Sequence, residues 1–138
     1  MDEREDIFGK THPEIAQVVE NMKLPGFVAL QITEWLYRKK AQSFDQMTNI
    51  SKDARKRLDD LFIIGLSKPS AVQVSSDGTR KYLFPVKSGK HVETVYIPEP
   101  QRSTLCISSQ VGCKMGCIFC MTGMQGFQGN LSSGEILN

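Results

Sequence analysis

The feature that most constrains this chain is the placement of its cysteines. All four fall between residues 106 and 120, and three of them, Cys113, Cys117 and Cys120, follow the spacing C-x3-C-x2-C. Three thiolates within eight residues face a common centre only if the backbone turns back on itself. Gly112 and Gly116 permit that, because glycine tolerates positive φ where a β-carbon would clash. Thiolate is a soft ligand suited to iron–sulfur clusters, zinc or copper(I). A cubane has four irons, so three cysteines would leave one iron open to bind something else. Zinc is the main rival, with Cys106 as fourth ligand. Structural zinc sites, however, set their thiolates as two short pairs separated by a longer loop, and no second C-x2-C pair exists here. A disulfide pair, ill suited to a reducing compartment, and chance clustering complete the readings.

With 138 residues the chain has room for one modest domain or two small ones. Hydrophobic residues at 40% and charged residues at 23% suit a soluble globular protein. No apolar run approaches the ~20 residues of a membrane span, so no membrane association is expected. The stretch Met1-Asp2-Glu3-Arg4-Glu5-Asp6 is acidic, unlike the basic start of a signal peptide. A cytoplasmic location follows, where cysteines stay reduced and free for metal. The net charge of +2 is too small to argue for a nucleic-acid partner by itself.

Local patterns divide the chain. Thr11 and Glu14 have capping-box spacing, which predicts a helix from about His12 to Met22. Leu24-Pro25-Gly26 breaks it. A second predicted helix, Phe27 to Lys40, puts Val28, Ile32, Trp35 and Leu36 on one face and ends in the cations Arg38, Lys39 and Lys40. Trp35 at this spacing reads as core. Ser51 is the expected N-cap of a third helix, which aligns Ala54, Leu58, Leu61 and Phe62 before Gly65 stops it. Eight lysines and arginines lie between Lys23 and Arg57, against Glu34, Asp45 and Asp53. Solvated helix surface is the ordinary reading of such a run; a phosphate-contacting face is the functional one. Its candidate RNA contacts are Arg38, Lys39, Lys40, Lys52, Arg55, Lys56 and Arg57.

From Pro69 the period becomes strand-like. Ala71 to Ser75 and Thr79 to Phe84 flank the turn Ser76-Asp77-Gly78, and Ser88-Gly89 turns the chain into His91 to Ile97. These predict a small antiparallel sheet. Pro98-Glu99-Pro100 reads as a stiff linker. Ser103 to Ile107 reads as a short apolar strand entering the cysteine loop, and Ser132 and Glu135 have the capping-box spacing of another helix.

Beyond the cysteine spacing, Phe119 gives C-x3-C-x-aromatic-C. Val92-Glu93-Thr94-Val95-Tyr96-Ile97-Pro98 and Thr104-Leu105-Cys106-Ile107-Ser108-Ser109-Gln110-Val111-Gly112-Cys113 precede the loop, and Gly126-Phe127 and Asn130-Leu131 follow it. From about Leu24 to Asn138 these strings resemble the RlmN and Cfr family of radical S-adenosylmethionine (SAM) RNA methyltransferases, closer to the RlmN branch. The resemblance implies an α+β chain with three parts: a helical RNA-binding domain over residues 1–66, an antiparallel β segment and linker over 67–100, and over 101–138 the first βα unit of a partial (β/α) barrel, here cut short. It implies that Cys113, Cys117 and Cys120 hold a 4Fe–4S cluster whose open iron binds SAM, and that reductive cleavage yields a 5′-deoxyadenosyl radical. Cys106 takes the place of a resolving cysteine and Glu93 that of a proton acceptor. The family's methyl-carrying cysteine has no counterpart, since no cysteine follows Cys120. Gly129 stands where some members carry a basic residue.

The implied activity is formation of 2-methyladenosine in 23S rRNA and tRNA by a monomeric enzyme served by an electron donor such as flavodoxin. The residues as given would be inactive alone. A C8-directed enzyme of the Cfr branch and a non-enzymatic zinc-bearing RNA-binding module are the alternatives.

Overall fold

The computed structural model describes residues 4–138. Residues 1–3 of the acidic N-terminal stretch lie outside it. The chain is a mixed helix and sheet protein in two compact units that part between Leu66 and Ser67.

The first unit is built on three helices: α1 (His12–Asn21), α2 (Phe27–Tyr37) and α3 (Lys52–Leu61). The Glu14 carboxylate accepts hydrogen bonds from the Thr11 amide (2.6 Å) and hydroxyl (2.7 Å), satisfying donors that a helix start leaves open. The Thr11 amide bond, with the hydroxyl bond second, lowers the Glu14 pKa. Ser51 caps α3 by accepting from the Ala54 amide at 3.2 Å. Ile15, Val19, Val28, Ile32, Leu36, Ala54 and Leu58 are buried at helical spacing. They pack with Phe44 and Met47 of the 3-10 turn Phe44–Gln46 and its exit, and with Ile7 near the start of the chain. Trp35 is half-buried against this core, and its indole N–H donates to Asn49 Oδ1.

Two helix ends differ from expectation. α2 stops at Tyr37, short of Lys40, because the chain leaves the helix and Lys40 takes a left-handed φ of 54°. α3 stops at Leu61. Phe62 is extended, and β2 (Phe62–Ile63) pairs in parallel with β1 (Glu5–Asp6). Burial of Phe62 is thus achieved from a strand, while Leu61 is exposed. A pairing of residues 57 positions apart leaves no local sequence signal, and neither strand was expected.

The second unit contains a four-stranded antiparallel meander: β3 (Ala71–Val74), β4 (Arg80–Pro85), β5 (His91–Pro98) and β6 (Ser103–Ile107). Its turns follow the sequence: Gly78 and Gly89 adopt φ of 83° and 76°, and Asp77 Oδ1 accepts from the Thr79 amide at 2.9 Å. Pro98-Glu99-Pro100 is not a linker. Pro98 pairs with Ser103, the Glu99 amide donates to Arg102 O at 2.9 Å, and Arg102 forms an ion pair with Glu99. The boundary expected at residue 100 therefore falls inside a hairpin. Ser103–Ile107 pairs antiparallel with β5 along one edge.

After β6 come β7 (Gln110–Val111), the one-turn helix α4 (Met121–Met124), β8 (Gly129–Asn130) and α5 (Ser133–Leu137). Ser132 and Glu135 form the expected capping box. The other Glu135 oxygen accepts from the Lys87 amide at 3.0 Å, tying α5 to the β4–β5 turn. No helix of the described residues is long and apolar enough to cross a membrane.

Candidate functional site

The cysteine loop is a closed excursion from a short ladder. β7 pairs antiparallel with β8, placing Val111 opposite Gly129. The Gln128 amide donates to Val111 O at 2.8 Å and the Leu131 amide to Ser109 O at 2.9 Å. At the neck the backbones nearly touch: a β-carbon on Gly112, whose φ is 72°, would stand 1.7 Å from Gly126 O. Only glycine fits that approach. The Lys114 ammonium lies 4.4 Å from the centre of the Phe127 ring, a cation–π contact between the two arms.

Within the loop, Gly116 takes φ of 59°, reversing the chain between Cys113 and Cys117. The Cys120 amide donates to Cys117 O at 3.1 Å, and the Met115 amide points at Cys113 Sγ at 3.4 Å. Cys113, Cys117 and Cys120 are partly exposed, Cys106 is exposed, and all four are free thiols, so a disulfide has no place in this structure. No Asp, Glu or His lies between Gly112 and Gln128, so every strong ligand of the segment is sulfur. That donor set fits an iron–sulfur cluster. Among the described residues no three His, Cys, Asp or Glu side chains stand close enough to hold a metal ion: the loop gathers the thiols on one short arc without converging their sulfurs. Ile118 and Phe119 between them are 92% and 90% exposed, and Met115, Met121 and Met124 are exposed as well. An apolar rim that open is costly in water and suits a surface that covers something.

Cys106 and Glu93 lie on the meander. Cys106 stands opposite Val95, so Glu93, two residues along β5, is its diagonal neighbour on one sheet face. The register brings them to one patch; the cysteine loop begins seven residues beyond Cys106.

The basic residues of the helical unit are of two kinds. Arg55 Nη1 donates to Asp45 O at 2.7 Å, and Arg57 Nη2 to Met22 O at 2.5 Å; both brace the fold. Arg38 pairs loosely with Glu34 at 3.8 Å, and Lys39 Nζ sits 4.0 Å from the Trp35 ring centre. Lys40, Lys52 and Lys56 are exposed. Lys52, Arg55 and Lys56 line a cleft of about 350 Å³ beside Ser43 and Phe44, with Asp45 and Asp59 at its walls. The cleft went unseen in the sequence because it joins α3 to the 3-10 turn. The β7–β8 neck did too: its two-residue strands have no period to detect, and Gly126 and Gly129 were the only traces.

Comparison with known proteins bears on all of these parts. Residues 5–64 match the family described as the ribosomal RNA large subunit methyltransferase N-terminal domain. The chain is 52% identical over 132 residues to a probable dual-specificity RNA methyltransferase RlmN of Porphyromonas gingivalis, covering 96% of this chain and 39% of that protein. It is 47% identical over 138 residues to the dual-specificity RNA methyltransferase RlmN of Pelobacter propionicus, covering all of this chain and 40% of the relative. The crystal structure of a radical SAM methyltransferase from Sphaerobacter thermophilus superposes with a TM-score of 0.84 at 37% identity, over 96% of this chain and 39% of that one. The chain thus spans about two fifths of the length of the relatives it matches.

Proposed function

We propose that this chain belongs to the RlmN family of radical SAM RNA methyltransferases, which its residues 5–64 and its relatives support, and that it supplies the RNA-facing unit and the cluster loop of an enzyme that methylates C2 of adenosine in 23S rRNA and tRNA. The observation that carries the reading is the all-thiol loop Cys113-x3-Cys117-x2-Cys120 in a chain 52% identical to an RlmN. Cys113, Cys117 and Cys120 would hold a 4Fe–4S cluster, which when bound offers SAM one open iron and delivers one electron to its sulfonium. Adenine C2–H has no acidic proton and little nucleophilicity, so radical chemistry suits it where polar methyl transfer does not.

The chain's own residues have distinct parts in this reading. The neck at Gly112 and Gly126 fixes the ends of the loop, so that cluster assembly reshapes only the arc between them. Glu93 is the proton acceptor and Cys106 the thiol that resolves the covalent RNA adduct, side by side on one sheet face. Residues 101–138 open a partial barrel, with β6 carrying the loop; residues 1–66 form the accessory domain. The partner is the RNA backbone. Lys52 and Lys56 at the cleft, with Lys39 and Lys40 on the α2 exit, contact phosphates, while Arg55 and Arg57 hold the surface in shape. A monomer served by a flavodoxin-like electron donor completes the proposal.

Anaerobic reconstitution with iron and sulfide tests the loop. The expected product is brown, with about four irons and four sulfides per chain, and is lost when Cys117 is replaced by alanine. One tightly held zinc per chain and no brown absorbance would overturn it. For the RNA face, Lys52→Glu with Lys56→Glu should weaken RNA affinity and lower the salt slope by roughly two; an unchanged slope removes that assignment.

A further inference from the structure

The sheet face that carries Glu93 also carries Lys81. Side chains alternate along a strand, so Glu93 and Val95 of β5 point the same way. Val95 stands opposite Lys81 on β4 and opposite Cys106 on β6. Glu93 is thus diagonal to both, at backbone separations of about 7–8 Å that long side chains span. The lysine does span it: Lys81 Nζ lies 3.1 Å from Glu93 Oε1, with the two side chains 45% and 56% exposed. Glu93 Oε2 has no partner among the described residues. The Ser108 hydroxyl donates to the Glu93 carbonyl at 2.7 Å, fixing its backbone to the segment that leaves β6. One carboxylate oxygen is held and the other is offered.

We infer that Lys81 is a positioning residue for Glu93, aiming its free oxygen along the face that bears Cys106. The inference rests on the reading of Glu93 as proton acceptor. A base works only within hydrogen-bond reach of its proton, and a glutamate left to itself spreads over several staggered rotamers. A half-exposed ion pair adds little to stability, so what Lys81 contributes is direction. Its loss should appear in turnover rather than in substrate binding.

Lys81→Met keeps the length of the side chain and removes its charge; Lys81→Arg keeps the charge. In the intact methyltransferase carrying this chain, Lys81→Met should lower kcat about tenfold or more with KM unchanged, and Lys81→Arg should restore most of it. In NMR of the same variants, the Glu93 methylene couplings should become rotamer-averaged in Lys81→Met and stay resolved in Lys81→Arg. Full turnover and unaveraged couplings in Lys81→Met, beside an inactive Glu93→Gln, overturn the inference alone. An active Glu93→Gln overturns it together with the proton-acceptor reading.

Discussion

The two units solve the problem of stability differently. Among the described residues, the helical unit buries sixteen apolar side chains in one continuous core. The sheet unit buries three, Val86, Val92 and Val111, with Phe84 and Leu131 packed against them. Its meander leaves Val72, Val74, Leu105 and Ile107 exposed, all on the face opposite Glu93, and its loop leaves Ile118 and Phe119 in water. The unit with the complete core holds braced arginines and exposed lysines; the unit with the sparse core holds every cysteine. What the second unit has in place of a core is a set of local ties: turns, caps and the glycine neck. The candidate site lies where the chain is held by hydrogen bonds rather than by packing.

The contrast can be tested by substitution. The largest effect is expected in the helical unit, where Ile32→Ala should cost about 4 kcal/mol in urea unfolding followed by helical circular dichroism. Val74→Ala on the sheet should change stability by no more than about 0.5 kcal/mol. Equal losses at the two sites would erase the distinction. Next comes Gly112→Ala, which puts a methyl group against Gly126 O at a left-handed φ. A cost of roughly 3 kcal/mol confined to the sheet unit is expected, read as faster amide exchange at Gln128 and Leu131 with the helical unit unchanged. Ser51→Ala removes a helix cap and should cost about 1 kcal/mol, all of it in the helical unit.

The smallest effect concerns pH. Burial opposes ionisation of Glu135, but hydrogen bonds from the Ser132 and Lys87 amides, then the Ser132 hydroxyl, outweigh it and hold its pKa below the ordinary glutamate value. A group with a lowered folded-state pKa stabilises above its unfolded pKa and loses that contribution as pH falls through the folded value. Acidification below about pH 4 should therefore release α5 from the β4–β5 turn, with Lys87 amide exchange rising first. Glu135→Gln should remove that pH dependence.

How far the sequence foretold this molecule depended on the range of the interaction. Capping boxes at Thr11 and Ser132, the Ser51 cap and the Asp77-Gly78 turn all act over three or four residues, and the structure has each of them. Helix faces were legible for the same reason, since Val28, Ile32 and Leu36 declare their period. What failed was long-range. Phe62 has the spacing of a helical residue, yet β1 captures it as a strand; Pro98-Glu99-Pro100 looks stiff, yet it turns back because β6 pairs with β5. At the candidate site the three loop cysteines were visible from their spacing, whereas the closeness of Lys81, Glu93 and Cys106 depends on register between three strands.

The parallel pairing of β1 with β2 has a consequence for how the polypeptide is made. The Ile7 amide donates to Ile63 O at 2.9 Å and the Phe8 amide to Ile64 O at 3.1 Å, and Ile7 is fully buried. During synthesis, helices α1 to α3 can form and touch while the ribosome still holds residue 64, but the seat for Ile7 does not yet exist. The unit therefore locks in a single late event, when β2 emerges to meet β1, and a nascent chain arrested just before Phe62 should remain open to protease near Ile7.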